Sequence, residues 1–366
     1  MTRLIQFEWK KMIRTKFYVL FLLLSVLFVG GIFVRNFLLQ EEIVNKKIEK
    51  FSEYRKDILS QVTADRKAME DFPSPELEEK IEAGLLVYRA LNQLIESIEN
   101  GKWEEELQYE IQVYELAMDY KEKQGQFKLS EKDMQKEIQL NEELLKRGLA
   151  KEDLDLSINP PIFLKKIVTF FFHTFGFLIL LFLLTTYITR EFEEHSIQIA
   201  FTLPVSKSRY IISKFVSLFS AGFIWWIAIF GVSYLLTTLF GTSQENSTVY
   251  PLFTQSGDFL DVGDYLWQAV GYSILFLSFA ISLLVFFGFL LRNTIVTSLL
   301  IFVLLIGNHL VLREDITALF NPFSYQQIDS IILKEPTYYP MGLVVIFCAT
   351  VITLIFTILL NKRRGI

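Results

Sequence analysis

The stretch Glu191–Phe215, EFEEHSIQIAFTLPVSKSRYIISKF, holds three acids followed by three bases, and it separates two long apolar runs. The acids lie before Pro204 and the bases lie after it. Carboxylates and cationic side chains at this spacing offer ion pairs, either with one another or with a polar protein partner. What these charges can do depends on the elements that position them and on the side of the membrane where they lie.

The sequence motifs of the common catalytic sites are absent from the chain. It has no G-x-x-x-x-G-K-[ST] loop for ATP phosphates, no H-E-x-x-H zinc helix and no serine nucleophile elbow. Cys348 is its single cysteine, so an intrachain disulfide is impossible. We therefore expect a non-catalytic chain that holds no cofactor and no metal and has no nucleic-acid partner. Any energy that its work requires must come from another polypeptide.

Long apolar runs dominate the rest of the sequence, in which 52% of the residues are hydrophobic. A helix needs about 20 apolar residues to cross a hydrocarbon core of roughly 30 Å, and its backbone then satisfies its own hydrogen bonds. Six runs meet this length and predict transmembrane helices at 17–39, 167–189, 211–240, 265–291, 294–312 and 341–360. The predicted fold is therefore an all-α polytopic membrane protein with six spans.

Basic residues predict the orientation, because short flanking segments rich in Lys and Arg stay in the cytoplasm. Such segments are 1–16, 190–210 and 361–366, whereas 241–264 contains no Lys or Arg. We expect a multi-pass protein of the cell membrane with both termini and the charged segment 190–210 in the cytoplasm. The segment 241–264 is then an outer loop, and 313–340 is predicted to be an outer re-entrant or interfacial segment.

Residues 40–166 form a large predicted insert outside the membrane, between the first and second spans. They hold 29 acids and 20 bases but no His and no Cys. Apolar residues recur there at helical spacing, and Ser130 and Gly148 are placed as the N-cap and the C-cap of one helix. We expect a helical domain with a charged, solvated surface and no metal or nucleophile site.

The N-terminal segment 1–16 is predicted to be an amphipathic helix at the cytoplasmic membrane interface. Leu4, Trp9 and Met12 lie on one helical face, and basic residues surround them. The other interpretation is an ordinary basic flank that sets the topology, and the two are compatible.

In the cytoplasmic segment 190–210, one short helix is predicted to end at Pro204, and the next begins after Ser206 and leads into the third span. A short helix joined through a rigid proline turn to a membrane helix can transmit a push from a soluble partner. The residues predicted to couple the chain to that partner are Glu191, Glu194, Ile197, Phe201, Pro204 and Arg209. The alternative is that the apolar residues among them rest on lipid headgroups.

The spans contain few ionisable residues, which argues against a carrier driven by protons or sodium ions, since such a carrier needs a buried titratable or ion-binding group. Aromatic and aliphatic walls suit an amphipathic or lipid-like cargo. The candidate residues of the substrate path are Phe171, Phe175, Phe223, Trp226, Phe230, His173 and Asn308. For each of them, packing against lipid or between helices is the competing interpretation.

The order of these features resembles that of the ABC-2-type (type V) ABC transporter permeases. The resemblance rests on the acids, on LPVSKSRYIISK at 203–214, on the interfacial N-terminal helix and on NPFSYQQIDSI at 321–331. His195 and Ser196 stand where the family usually has Gly-Thr, and SKSR is one residue longer than the usual run. The resemblance implies a permease that pairs with a second permease subunit, as a homo- or heterodimer, and binds ABC ATPase subunits that carry ATP and Mg²⁺.

The insert at 40–166 is similar to that of Gram-positive permeases for the export of, or immunity against, lantibiotic- and bacitracin-like peptides. The resemblance thus implies an ATP-driven exporter that moves a peptide antibiotic, a lantibiotic or a lipid-like substrate out of or away from the membrane. The alternative is a membrane sensor or scaffold whose outer domain detects a ligand and signals through 190–210. The predicted inner face favours the exporter, because it holds no kinase, cyclase or HAMP-like region.

Overall fold

The computed structural model describes residues 2–196, 206–242, 246–311, 319–334 and 338–363, except the side chains of 308–311 and 363. The chain divides into two compact units. The membrane unit comprises residues 1–33, 160–242 and 252–366, and the insert unit comprises residues 34–159 and 243–251. Helices make up nearly all of the regular structure that is described, in agreement with the predicted all-α class.

The helices follow one another along the chain with short connections. In chain order they are α1 Thr2–Arg14, α2 Phe17–Leu38, α3 Gln40–Asp71, α4 Pro75–Glu99, α5 Trp103–Glu122, α6 Glu131–Arg147, α7 Pro160–Phe171, α8 Thr174–Glu193, α9 Lys207–Phe240, α10 Val262–Leu291, α11 Thr294–Val311, α12 Ile328–Leu333 and α13 Tyr338–Arg363. Two short strands, β1 Pro251–Phe253 and β2 Phe259–Asp261, form a two-stranded sheet within the predicted outer loop.

Five of these helices are long and apolar enough to cross a membrane, within the described parts of the chain. They are α2, α8, α9, α10 and α13. Within the described residues, α11 has a shorter apolar helix, Thr294–Gly307, and the side chains of the rest of the predicted span 294–312 lie outside them. The structure thus agrees with a polytopic membrane protein and gives five candidate spans where the sequence predicted six.

The predicted second span differs from the structure, because 167–189 is not one continuous helix. Helix α7 ends at Phe171, and α8 begins at Thr174 after the extended residue His173. Gly176 explains why the break is sharp: a Cβ atom at this position would lie 1.9 Å from the Phe171 carbonyl oxygen. Only glycine allows the two backbone segments to approach this closely.

The insert unit is a helical domain whose core is formed by aromatic and aliphatic residues of α3, α4 and α5. Its fully buried side chains include Leu91, Leu94, Val113 and Tyr114. The predicted caps of α6 are present, since the Ser130 side chain accepts a hydrogen bond from the Asp133 amide and Gly148 has the left-handed φ of 67°. This local chemistry is what the sequence pattern predicted.

The boundaries of the insert unit differ from the predicted 40–166. The unit begins at Val34, inside the first predicted span, and its first part ends at Asn159. The Asn36 amide explains this early start, because it donates to the carbonyl oxygens of Asp155 and Ser157 at 3.3 and 3.2 Å. These hydrogen bonds join the first residues of the insert unit to the last residues of its first part.

The loop predicted at 241–264 also contributes to the insert unit. Tyr250 is buried there, and its hydroxyl accepts a hydrogen bond from the Glu152 amide at 3.3 Å. In addition, Arg147 donates to the Val249 carbonyl oxygen. The sequence alone gave no sign of this contact, since the partners lie about one hundred positions apart.

Candidate functional site

The three acids of the charged stretch have three different surroundings. Glu191, in the last turn of α8, is buried with 6% of its surface exposed. Glu193 accepts a hydrogen bond from the Thr294 amide at the start of α11, at 2.7 Å. Glu194, the residue directly after α8, is about half exposed and pairs with Arg190 in the last turn of that helix. Of the two acids predicted to face a partner, Glu194 is therefore accessible and Glu191 is not.

Glu191 belongs to a buried ion cluster that links three helices. Lys214 of α9 lies between two carboxylates, with its Nζ atom 2.7 Å from an oxygen of Glu8 and 2.7 Å from one of Glu191. Lys11 contacts the same Glu191 oxygen at 2.8 Å, and the Tyr210 hydroxyl donates to the other one. We call these five residues the joint cluster. Its two carboxylates balance its two ammonium groups.

Helical spacing brings these side chains together. Glu8 and Lys11 are three residues apart on α1, and Tyr210 and Lys214 are four apart on α9, so each pair lies on one helix face. Trp9 Nε1 of α1 also donates to Ser220 Oγ of α9 at 2.9 Å, and the Tyr18 hydroxyl, in the first turn of α2, donates to the Ala221 carbonyl oxygen of α9 at 2.7 Å.

The charge of Glu8 depends on its partner. Burial raises the pKa of the Glu8 carboxyl, and the positive charge of Lys214 works against this rise. Lys214 has only 1% of its surface exposed, so water cannot take its place beside the carboxylates. Removal of any one charge of the cluster would leave an opposite charge buried without its partner, so the cluster is sensitive to such a loss.

A cavity of about 360 Å³ lies beside the joint cluster. Two basic, two acidic, several hydroxyl-bearing and two apolar side chains line it: Lys11, Thr15, Phe17, Leu183, Thr186, Tyr187, Arg190, Glu193, Glu194 and Thr294. Most of its charged groups already have partners within the chain. The cavity thus extends the polar region around the end of α8.

The remaining predicted coupling residues lie mostly outside the described residues. This applies to Ile197, Phe201 and Pro204. Arg209 lies in the first turn of α9, where its amide donates to the Ser206 hydroxyl at 3.4 Å, and Ser206 is the N-cap as predicted. Residues of the joint cluster lie on either side of 197–205 in the sequence, with Glu191 before these residues and Lys214 after them.

A second feature of the membrane unit is a largely apolar groove of about 750 Å³. It follows the break between α7 and α8 and is lined by Phe21, Leu24, Ser25, Phe28, Thr169, Phe170, Phe171, His173, Phe175, Gly176, Ile179 and Trp225. Three predicted residues of the substrate path are thus brought together there, namely Phe171, His173 and Phe175. These three residues line the same groove because they lie at the break between α7 and α8.

The other predicted path residues do not line this groove. Phe223, Trp226 and Phe230 belong to a row of rings along α9, in which Phe223 and Trp226 stack with 5.9 Å between centroids. The side chain of Asn308 lies outside the described residues. The interpretation of helix packing therefore fits the α9 rings better than a place in the groove.

Sequence reasoning missed Glu8 as a site residue, and it also missed the α2 wall of the groove. Glu8 is the single acid among the first 40 residues, where five bases precede the first span, and this isolation was a usable signal. On α2, Phe21, Leu24 and Phe28 recur at helical spacing, but such a pattern also fits a helix that faces lipid all round.

Five apolar helices of membrane-spanning length, within the described residues, are typical of an integral membrane protein. A sequence profile of the ABC-2 family transporter proteins matches residues 3–333, so the chain belongs to that family. The family indicates a membrane permease of an ABC transporter, and it implies an ABC ATPase as partner. No curated protein and no solved structure matches the chain.

Proposed function

We propose that the chain is the permease subunit of an ATP-driven exporter for an amphipathic or lipophilic substrate. The substrate class is a peptide antibiotic of the lantibiotic or bacitracin type, or a lipid-like molecule, and the exporter moves it out of or away from the membrane. The apolar groove carries this proposal. Its walls are mostly aromatic and aliphatic, with Ser25, Thr169 and His173 as its polar groups. A small hydrophilic solute would need more hydrogen-bonding groups along its route.

The chain has no catalytic role in this proposal. ATP and Mg²⁺ bind to a separate ATPase subunit, and the permease pairs with a second permease subunit, as a homo- or heterodimer. Both termini lie in the cytoplasm, so segment 190–210 faces the ATPase. The exposed acid Glu194 and the predicted apolar anchors Ile197 and Phe201 offer that subunit a polar and an apolar contact.

The proposal is tested with the chain and its ATPase purified together and reconstituted in liposomes. ATPase activity is measured while lantibiotic-like peptides, bacitracin-like peptides and short lipids are added. We expect stimulation by one of these classes. The variant Phe171→Ala/Phe175→Ala should lower this stimulation, whereas Phe223→Ala, outside the groove, serves as the matched control. Selective stimulation by a small hydrophilic ion would contradict the proposal.

Coupling is tested in the same preparation with Glu194→Lys and Phe201→Ala. Both variants should insert and fold like the parent chain and should bind or stimulate the ATPase less. If both behave like the parent chain, segment 190–210 is a connector and not the coupling element. If no ATPase binds at all, the sensor or scaffold interpretation gains support.

A further inference from the structure

Helix α1 has two faces with different electrostatic surroundings. Its inner face carries Glu8, which is buried in the joint cluster. Its opposite face carries Arg3, Phe7, Lys10 and Arg14, which are four, three and four residues apart and therefore form one row along the helix. All four are exposed. We call these four residues the basic stripe.

The cations of the basic stripe have no acidic partner within the parts of the chain that the structure describes. None of Arg3, Lys10 and Arg14 takes part in an ion pair there. The nearest acid in sequence, Glu8, points to the other face and is engaged by Lys214. Phe7, in the middle of the row, exposes 62% of its surface. The stripe thus combines unpaired positive charge with an exposed aromatic ring.

The position of α1 beside two candidate spans places this stripe where the surface of a membrane would lie. Helix α1 ends at Arg14, and α2, an apolar helix of spanning length, begins at Phe17. The joint cluster and the bond from Trp9 to Ser220 hold α1 against the first four turns of α9, another such helix. A short link and two sets of contacts therefore fix α1 beside two spans, with the stripe turned away from them.

We infer that the basic stripe binds anionic phospholipid headgroups of the surrounding bilayer. Positive charges near an anionic surface attract its headgroups, and an aromatic ring between them can lie among the upper parts of the acyl chains. Phe17, with 64% of its surface exposed, continues this apolar contact toward the first span. Charge complementarity identifies the occupant, because the stripe carries three cations and no acid. This inference does not depend on the proposed export function.

The test uses the full chain in nanodiscs made of phosphatidylcholine and phosphatidylglycerol at a ratio of 7:3. The chain carries Cys348→Ser and a bimane label on Gln6→Cys, an exposed position beside the stripe. Either lipid is supplied in brominated form, and quenching is compared per brominated molecule. Each basic residue near an anionic surface changes lipid binding by about fivefold. We therefore expect phosphatidylglycerol to quench several-fold more per molecule than phosphatidylcholine.

The variant Arg3→Gln/Lys10→Gln/Arg14→Gln should lose this preference while the joint cluster stays intact. The matched control, Lys56→Gln/Lys132→Gln/Lys136→Gln, removes three exposed charges from α3 and α6 and should retain it. Equal quenching by both lipids in the parent chain would overturn the inference, and so would a preference that survives the triple neutralisation. The same holds for an absence of quenching by either lipid. If the triple variant instead keeps the lipid preference and binds the ATPase less, the stripe contacts the ATPase and not the lipid.

Discussion

Two lysines in different parts of this protein each lie between two carboxylates. In the insert unit, Lys151 lies between Glu110 and Glu137, at 2.9 and 2.5 Å, and the Tyr114 hydroxyl donates to Glu110. We call these four residues the insert cluster. In the membrane unit, Lys214 lies between Glu8 and Glu191, and Tyr210 donates to Glu191. The same chemistry thus appears twice, once in each unit of the chain.

The two clusters differ in accessibility and in what they connect. The side chain of Lys151 is 18% exposed and that of Glu137 35%, whereas the side chain of Lys214 is 2% exposed. The insert cluster joins residues within 110–151. The joint cluster connects positions 8, 191 and 214. The comparison shows that one arrangement can connect residues of a local domain or elements far apart in sequence. We expect water access to decide how far the loss of its lysine is tolerated.

The largest effect is expected for the lysine that water cannot reach. Lys214→Met leaves two carboxylates buried with Lys11 as their one remaining cation, which costs about 3–5 kcal/mol. Lys151→Met leaves Glu110 buried with the Tyr114 hydroxyl as a donor, but water can reach Glu137 and the space that Lys151 vacates, so this variant should cost less, about 1–3 kcal/mol. Thermal unfolding of the full chain in detergent measures both. The comparison fails if the two variants lose equal stability or if Lys151→Met loses more.

A second pair of variants compares close packing in the two units. In the membrane unit, a Cβ on Gly176 meets the backbone oxygen of Phe171 at 1.9 Å, whereas in the insert unit a Cβ on Gly84 meets a methyl group of Val62 at 2.6 Å. A side chain can turn away, but a backbone carbonyl at a helix break cannot move without its helix. We expect Gly176→Ala to cost about 3 kcal/mol and Gly84→Ala about 1 kcal/mol, by the same unfolding measurement. Similar losses would mean that the break between α7 and α8 is adaptable.

A smaller effect concerns the dependence of the insert unit on pH. Burial disfavours the charged form of Glu110, but the charge of Lys151 outweighs it and lowers the pKa of this carboxyl below the ordinary value of 4.5. A lowered pKa means that the stabilisation is complete above about pH 4.5 and is lost as the pH falls through the lower, folded-state value. Burial likewise opposes the charge of Lys151, but its carboxylate partners prevail and raise its pKa above 10.5, so its contribution is complete below that pH.

This prediction can be tested by amide hydrogen exchange of α5 in the full chain, corrected for the intrinsic exchange rates at each pH. Protection should be constant between pH 5 and pH 9 and should fall below pH 4.5. In Lys151→Met the fall should be weaker, because Glu110 has lost the charge that kept it ionised. Unchanged acid sensitivity in this variant would show that other carboxylates cause it.

The insert unit was largely predictable from the sequence, and the reason is local chemistry. Ser130 and Gly148 cap α6 through neighbouring backbone groups, and the apolar stripe of α3 is set by helical spacing. The helical class and most apolar spans followed from the same kind of reasoning. These features depend on residues that are close in sequence, where spacing and residue type determine the structure.

The joint cluster and the groove were not predictable, because their parts come from distant positions. The residues around Lys214 do not indicate that Glu8 is its partner, since the two lie 206 positions apart. The break at His173 also escaped prediction, because the run around it is as apolar as a continuous span, and only Gly176 marked it. The side chains predicted to form one coupling surface differ in exposure, because Glu191 is buried and Glu194 is exposed.

The smallest expected effects on stability concern Glu193 and Glu194, two neighbouring acids with different hydrogen-bond partners. Glu193 accepts from the Thr294 amide, one of the amides at the start of α11 that have no partner within the helix, so it acts as a cap. Glu193→Gln keeps an acceptor oxygen but removes the negative charge at the N-terminus of α11, which should cost about 0.3–1 kcal/mol and lower Tm by about 1–2 °C. Glu194 pairs with Arg190 on an exposed helix face, where water replaces a lost partner, so Glu194→Gln should leave Tm unchanged. The same variant should still weaken ATPase binding if Glu194 faces that partner. A drop in Tm for Glu194→Gln equal to that for Glu193→Gln would show that the division of the acids into a structural and a contact residue is wrong.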